Sequence, residues 1–426
     1  MGQEAMNSSR VEIKPPTQQE RTAILAAIRK CVLKRHFNVG GVDYDEWARR
    51  FDDRGARLLT GSVAEFEEGI RAALSELRSS HTVFYHERTN RLLPQHSIGA
   101  TIRAFQQGGI QHWHFLDVFE EGLAQRAGIQ RGDALLSVDG IEYVPPNKPP
   151  FRIDATHGLT VSDAQGQRQR EVEIKIPFRK GTPERPPIIE PCSPRHAVIK
   201  PRTGILRIPY FPGPTGISFA NDLDVAIADL TAQGCDRLII DLRGNIGGSL
   251  GFARLASYLC PGRIAIGHSL TPSRLRQGYA RDVLPRVPMP RSKAEFLWAL
   301  ARFAVRDKSV MLLTQGLGPQ PFHGKVSVLV NEWTNSAAEM LAGFASENQL
   351  ATVVGTKTAG NVLGAVNQKL GGGYWLRVPV FGWYTSTGKS LEGQGIIPDC
   401  EVDVGGDPAA VVVDRQMRAA EEVVDS

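Results

Sequence analysis

The sequence predicts a mixed chain: an amino-terminal helical domain, a small β domain, and then a larger α/β domain. Three observations lead there. Residues 17–78 carry apolar side chains at helical spacing, residues 95–180 break into short β-like runs punctuated by Gly and Asp, and the chain beyond 201 alternates β-branched runs with amphipathic stretches. A chain of 426 residues, 42% apolar and 22% charged, holds two or three such domains with ample core.

Residues 1–16, ending in Pro15-Pro16, read as a disordered lead. The helical domain occupies 17–94. Its first helix runs from Thr17 to about Lys34 and gathers Ile24, Leu25, Ile28, Cys31 and Val32 on one face. A second passes through Asp45–Phe51. A third runs from Ser62 to Leu77, with Phe66, Ile70, Leu74 and Leu77 aligned. The chain then turns extended through Ser79-Ser80-His81-Thr82.

The β domain, 95–180, should hold a short helix around Leu123–Arg126, a turn at Gly128 and a strand from Ala134 to Val138. A Pro-rich linker covers 181–200, with Pro183, Pro186, Pro187 and Pro191 favouring extended chain. The α/β domain is 201–410. It offers a strand from Gly204, a helix from Ile217 to Gln233, a buried strand Arg237–Leu242, the turn Gly244-Asn-Ile-Gly-Gly248, and a helix to Leu259. Strand Val326–Asn331 and a helix opening at Ser336 repeat the plan. Ala351–Gly355 is a further strand, Tyr374–Tyr384 a strand or hairpin, and 411–426 a tail. The Arg-rich segment Pro261–Lys325 is expected to be a lid or an assembly surface.

Net charge is +5, with acids and bases interleaved except for the cluster Arg274, Arg276, Arg281, Arg286 and Arg291. Without a basic stripe and interleaved aromatics, nucleic-acid binding does not fit. The cluster reads as a solvated loop, or as a rim attracting acidic substrate ends. Five widely spaced cysteines without a Cys-x-x-Cys argue for a reducing compartment and against a disulfide frame or a zinc site. Met1–Arg10 has no apolar core and no stretch is long enough to span a membrane, so a cytoplasmic location is expected.

Chemistry centres on Ser336, where a buried strand hands over to a helix. A hydroxyl there is held by rigid elements beside the positive end of a helix dipole. The same letters, Ser336-Ala-Ala-Glu339, also spell a capping box. A catalytic serine has to keep its hydroxyl off its own helix, which leaves Thr334 or Asn335 to cap it. The glycines of 244–248 suit backbone donors approaching an oxyanion. They lack the Lys-Ser/Thr of a phosphate-binding loop, and a plain tight turn before a helix fits them as well. Ten histidines are candidates for a base, and spacing does not choose among them.

Two resemblances sharpen this. Ala124-Gln-Arg-Ala-Gly-Ile-Gln-Arg-Gly-Asp-Ala-Leu-Leu-Ser-Val-Asp-Gly140 resembles the central signature of a PDZ domain, which binds an extended peptide at a sheet edge. Behind it come, in order, Asp241-Leu-Arg-Gly-Asn-Ile-Gly-Gly248, Val328–Ala342, Val354-Gly-Thr-Lys-Thr-Ala-Gly360 and Leu391-Glu-Gly-Gln-Gly-Ile-Ile-Pro-Asp399. Together these resemble the C-terminal processing (tail-specific) and tricorn-type serine peptidases. The resemblance runs over roughly residues 20–403 and implies a crotonase-like α/β catalytic domain with the PDZ-like β domain inserted before it.

The family has two active-site designs. In one, a lysine base shortly follows the Gly-x-x-Thr-x-Gly motif; here Gly355–Gly360 is followed by Asn361, which is no base, and Lys357 is displaced. In the other, a Ser-His pair precedes the PDZ and a Glu comes late. Ser80-His81 and Glu392 stand in those places. The resemblance therefore implies that Ser336 attacks, His81 takes its proton, Ser80 orients His81 and Glu392 orients Ser80. Backbone N–H groups of Gly247 or Gly248 and of Ala337 would hold the oxyanion. The implied activity is serine endopeptidase, acting on peptides or unfolded proteins, without metal or cofactor. A homo-oligomer and a Ser336–Lys357 dyad stay open, as does a non-proteolytic scaffold of the same fold. Trp333 departs from the small residues common there in the family, and is expected to narrow the cleft.

Overall fold

The computed structural model describes residues 15–37, 41–87, 92–107, 109–181, 187–213, 215–304, 309–318, 322 and 324–426. The lead 1–14, His323 and the linker prolines Pro183 and Pro186 lie outside them.

Three helices, Gln18–Arg35, Tyr44–Leu58 and Val63–Ser75, form the amino-terminal domain. Thr17 and Glu20 close a capping box on the first, and Ser62 and Glu65 on the third. Their apolar faces meet around Trp47, Phe51, Phe66 and Ile70. They also cover one side of a sheet through Phe84, Tyr374, Leu376 and Val378, with the Phe84 and Tyr374 rings stacked at 5.1 Å.

The β domain is a six-stranded antiparallel sheet in the order Ala100–Gln107, Ile110–Val118, Ala134–Val138, Ala155–Ser162, Gln169–Ile176, with Ile141–Glu142 paired on Ala134–Val138. Its helix is Leu123–Arg126, as the sequence predicts.

The α/β domain rests on a sheet of six strands. They run in the order Cys400–Glu401, Thr352–Gly355, Lys325–Val330, Arg237–Asp241, Thr203–Arg207, Arg195–Lys200. All neighbours are parallel except the last pair. Parallel strands buried on both faces need continuous apolar runs, and Leu238, Ile239, Ile240, Val328, Leu329 and Val330 are fully buried. Helices Ile217–Ala232, Phe252–Tyr258 and Ala337–Glu347 pack on one face in the largest apolar cluster.

Three expectations change. The segment read as a tail is helical at Pro408–Val413 and Arg415–Asp425, and Ala420 and Val424 are buried against Ile205, Ile239, Leu329 and Val354. It covers the second face of the parallel sheet. The linker ends in an edge strand, Arg195–Lys200. The Arg-rich segment builds part of the second α/β sheet: its strands Ala265–Leu270, Met311–Leu313 and Arg286–Pro288 extend from Tyr374–Thr385. That long strand, a strand and not a hairpin, also pairs with Leu363–Gly371 and with Val83–His86. The pairing joins the amino-terminal domain directly to the α/β one.

Candidate active site

Neighbouring parallel strands deliver their loops to one rim, since parallel strands all end on the same side. Asp241 pairs beside Leu329, and Val330 beside Gly355. The glycine turn, Ser336 and the 355–360 loop therefore emerge side by side. Asn335 N–H donates to Asn245 O at 2.9 Å, and Ala359 N–H to Thr334 O at 3.2 Å, which locks the three loops together.

Ser336 has φ 53° and ψ −114°, a backbone conformation that an L-residue adopts only when its surroundings enforce it. The enforcing group is Glu339, fully buried in the first turn of the helix. Its carboxylate accepts from Ser336 N–H (2.9 Å), Asn361 N–H (2.9 Å), Gly360 N–H (2.6 Å) and Thr358 Oγ1 (2.6 Å). Burial pushes its pKa up against the pull of these four donors, Thr358 first. Ser336 and Glu339 keep the disposition of a capping box, yet the Ser336 side chain makes no cap hydrogen bond. The expected substitutes do not cap either. Thr334 Oγ1 donates to Leu242 O, and Asn335 Nδ2 to Trp333 O; the first turn is served instead by the Asn335 carbonyl, which accepts from Ala338 N–H at 3.1 Å.

The glycine turn lies against Ser336. A Cβ added at Gly247 would stand 2.7 Å from Ser336 Cβ and 3.3 Å from its Oγ, so only glycine permits this approach. Gly247 N–H itself is taken by Asn245 Oδ1 at 2.6 Å, which removes it as an oxyanion donor. The N–H groups of Gly248 and Ala337 have no partner among the described residues. Of the two glycines, only Gly248 keeps an N–H without a partner among the described residues.

Ser80, His81 and Glu392 come together from opposite ends of the chain. Ser80 Oγ donates to Glu392 Oε2 at 2.9 Å, Ser80 N–H donates to Oε1 at 2.9 Å, and Ser80 Oγ lies 2.8 Å from His81 Nδ1. The hydroxyl has one proton and gives it to the carboxylate, so its oxygen accepts from His81 Nδ1–H. That fixes the tautomer and leaves the Nε2 lone pair for a proton. Burial, and then the Arg377 cation, lower the His81 pKa to about 3, so the ring is neutral over the ordinary pH range. Glu392 Oε2 also accepts Val362 N–H at 2.7 Å. Consecutive N–H groups, Asn361 and Val362, thus tie the two carboxylates, Glu339 beside Ser336 and Glu392 beside Ser80. The turn carrying His81 (φ 62°) is pinned on its other side, where His36 Nε2 meets Ser79 Oγ at 2.8 Å.

Lys357 is exposed, which leaves it without the burial that a lysine base requires. Asn361, in the lysine's place, donates from Nδ2 to Asn335 Oδ1 at 2.7 Å. Sequence reasoning missed the organising part of Glu339 and Thr358. The signal was there in the threonine of Gly355-Thr-Lys-Thr-Ala-Gly360, whose hydroxyl bridges Glu339 and Ile396 N–H. Trp333 stands at the β-domain side, its carbonyl accepting from Gln95 Nε2 at 3.3 Å and its ring under Lys148 at 4.8 Å. A cleft of about 540 Å³ lies elsewhere, between the β domain and the sheet, lined by Phe119, Arg131, Arg195, Arg207, Arg243 and Asp414 among others; Ser80, His81, Ser336, Glu339 and Glu392 do not border it.

Residues 202–402 match the model of peptidase family S41. A probable CtpA-like serine protease of Staphylococcus haemolyticus is 26% identical over 282 residues, covering 66% of this chain and 48% of that protein. A carboxyl-terminal-processing protease of Picosynechococcus sp. is 23% identical over 278 residues, covering 65% and 57%. The chain thus spans about half the length of the curated relatives it matches. Among solved structures, a photosystem II D1 C-terminal processing protease superposes with a TM-score of 0.54 at 18% identity, over 95% of this chain and 99% of that one. Mature CPAF complexed with lactacystin superposes with 0.59 at 15% identity, over 95% and 98%. These two likenesses establish the fold. Four motifs in order and the match over 202–402 agree: this part of the chain is similar to peptidase family S41, and the chain has relatives of the carboxyl-terminal-processing type.

Proposed function

We propose that this chain is a serine endopeptidase that hydrolyses peptides or unfolded proteins through an acyl-enzyme on Ser336. The observation that carries the reading is the Glu392–Ser80–His81 relay, built from residues 312 positions apart and hydrogen-bonded end to end. Ser336 Oγ attacks the carbonyl carbon and its proton passes to His81 Nε2. The N–H groups of Gly248 and Ala337 hold the oxyanion. His81 returns the proton to the leaving amine as the C–N bond breaks. Water then repeats the sequence on the ester and frees Ser336. Ser80 and Glu392 hold the imidazole in its tautomer and stabilise its charge. The β domain, on its PDZ resemblance, captures or gates the substrate chain. Five free cysteines support a reducing compartment such as the cytoplasm. Among the described residues no helix is long and apolar enough to cross a membrane.

The test is hydrolysis of an unfolded protein such as reduced, alkylated casein by the wild type beside Ser336→Ala, His81→Ala and Lys357→Ala. Cleavage by wild type and Lys357→Ala, with loss in the other two, is the expected result. Cleavage by Ser336→Ala at the wild-type rate overturns the reading. Loss in Lys357→Ala with retention in His81→Ala gives the dyad instead.

A further inference from the structure

The glycine turn 244–248 is fixed at its far end from within the α/β domain. Phe211 N–H donates to Gly247 O at 2.9 Å, and Ser249 N–H to Phe211 O at 2.8 Å. Its near end is held from outside. Gln95, the first residue of the β domain, donates from Nε2 to Gly244 O at 2.7 Å. Gly244 N–H donates to Asn331 Oδ1 at 3.0 Å, and Asn331 Nδ2 donates in turn to Asp117 Oδ2 at 2.9 Å. Asp117 lies in the β-domain strand Ile110–Val118. The β domain therefore grips both polar backbone groups of Gly244, one directly and one through Asn331. Gln95, Asp117 and Asn331 are all buried, so water competes little for these bonds.

A buried carboxylate is costly, and an amide would fill the same space. Among the described residues the partners of Asp117 are Asn331 and the Thr101 hydroxyl, not a cation. Thr101 Oγ1 donates to Asp117 Oδ2 at 2.6 Å and accepts from Asp117 N–H at 3.0 Å. What the carboxylate supplies is that it only accepts. It turns Asn331 Nδ2 toward itself, and so turns Oδ1 toward Gly244 N–H and Trp333 N–H, at 3.0 and 3.1 Å. The reverse orientation would set amide donors against two N–H groups. The packing is close: a Cβ on Gly244 (φ +70°) would stand 3.2 Å from Asp117 Oδ2 and 2.8 Å from the Phe119 ring. Asn331 also reaches the nucleophile's loop, since its N–H donates to Thr334 Oγ1 at 3.0 Å.

We propose that Asp117 and Gln95 are positioning residues supplied by the β domain: through Asn331 and Gly244 they aim the Gly248 N–H at the oxyanion. Gly248 closes the turn that Gly244 opens, so a tilt of the Gly244 peptide groups displaces the donor. Such a donor acts in the transition state, and its displacement costs rate and not substrate affinity. The inference rests on the peptidase reading, and the experiment separates the two.

The experiment measures kcat and KM of the full chain on a quenched fluorescent peptide. Loss of a whole oxyanion donor costs about 10²- to 10³-fold in kcat. A misplaced one in Asp117→Ala should cost about ten- to a hundredfold, with KM changed by less than about twofold. Asp117→Asn keeps an acceptor oxygen and should recover to within several-fold of the wild type. Fluorophosphonate labelling of Ser336, whose phosphoryl oxygen needs the same donors, should slow in step with kcat. The affinity of the uncleaved peptide, measured with Ser336→Ala added, should stay constant; a merely structural role would weaken it. Because Asp117 acts through Asn331, Asp117→Ala combined with Asn331→Ala should be no slower than Asn331→Ala alone. Gln95→Met keeps the side-chain volume and should give a several-fold loss in kcat alone, which supplies the test if Asp117→Ala does not fold. Wild-type kcat in folded Asp117→Ala or in Gln95→Met, or losses that multiply in the double variant, overturn the proposal. A wild type that neither cleaves nor labels overturns the peptidase reading instead, and this inference with it.

Discussion

At the scale of the residue, the proposed catalysis depends on a few protons and a few missing Cβ atoms. Glu392→Gln and Ser80→Ala leave Ser336 and His81 in place but release the tautomer, so kcat should fall by roughly 10²- to 10⁴-fold with little change in KM, measured on a peptide substrate. His81 is neutral, with its pKa lowered to about 3, so if it serves as the proposed base the acid limb of kcat/KM should lie well below the usual imidazole range. Removing the cation in Arg377→Met raises the His81 pKa and moves that limb upward, which a pH–rate profile reads directly. An unchanged limb contradicts the electrostatic coupling. At Gly248, φ is +134° and a Cβ would stand 2.1 Å from Phe211 O, so Gly248→Ala has to move the turn. It should lose most activity while a fluorophosphonate probe still reports whether Ser336 is reactive.

At the scale of the element, the site is a meeting of loop ends, and Glu339 holds the meeting together. Glu339→Gln replaces one acceptor oxygen with a donor that faces N–H groups. At about 1–3 kcal/mol for each donor left unsatisfied, a loss of several kcal/mol of stability is expected, visible as a lower Tm. The sequence made much of this legible. Helices Gln18–Arg35 and Leu123–Arg126 and strands Ala134–Val138 and Lys325–Val330 follow from periodicity and caps, because those elements have one apolar face or are apolar throughout. Ser80, His81, Ser336 and Glu392 are candidates through motif resemblance and not through spacing. What stayed hidden depends on contacts distant in sequence. Glu339 reads locally as a cap, and its bonds to Thr358 and Gly360 exist only after two loops meet. Gly247 and Gly248 look alike as letters, and only the Asn245 side chain distinguishes their N–H groups. The Arg-rich segment hid its strands because they are short and sit among charged turns.

At the scale of the whole molecule, the carboxy-terminal helices close the structure. Arg243, buried, joins Asp241 beneath the glycine turn to Asp414 at the helix start, through bonds of 2.7 Å and 2.6 Å. The Arg243 guanidinium holds Asp414 down to about 2 against its burial. The folded pKa is below the unfolded one, so this contribution is present above about pH 4 and is lost as pH falls through about 2. His81, lowered to about 3, and His36 and His96, lowered to about 4 by burial, act in the same direction at milder pH. They are neutral when folded and protonate on unfolding. Stability should therefore rise with pH between about 4 and 6.5, seen as a rising Tm. Truncation after Asp407 uncovers Ile205, Ile239, Leu329 and Val354 on the parallel sheet. The truncated chain should aggregate or melt at least several degrees lower, and an unchanged Tm contradicts the docking of this segment.

The most direct measurement is covalent labelling with a fluorophosphonate, with the modified residue located by mass spectrometry. A single adduct is expected on Ser336 in the wild type and in Lys357→Ala, with strong loss of labelling in His81→Ala and none in Ser336→Ala. A wild-type protein that is folded yet unlabelled at Ser336, or that labels equally well with His81→Ala, contradicts it.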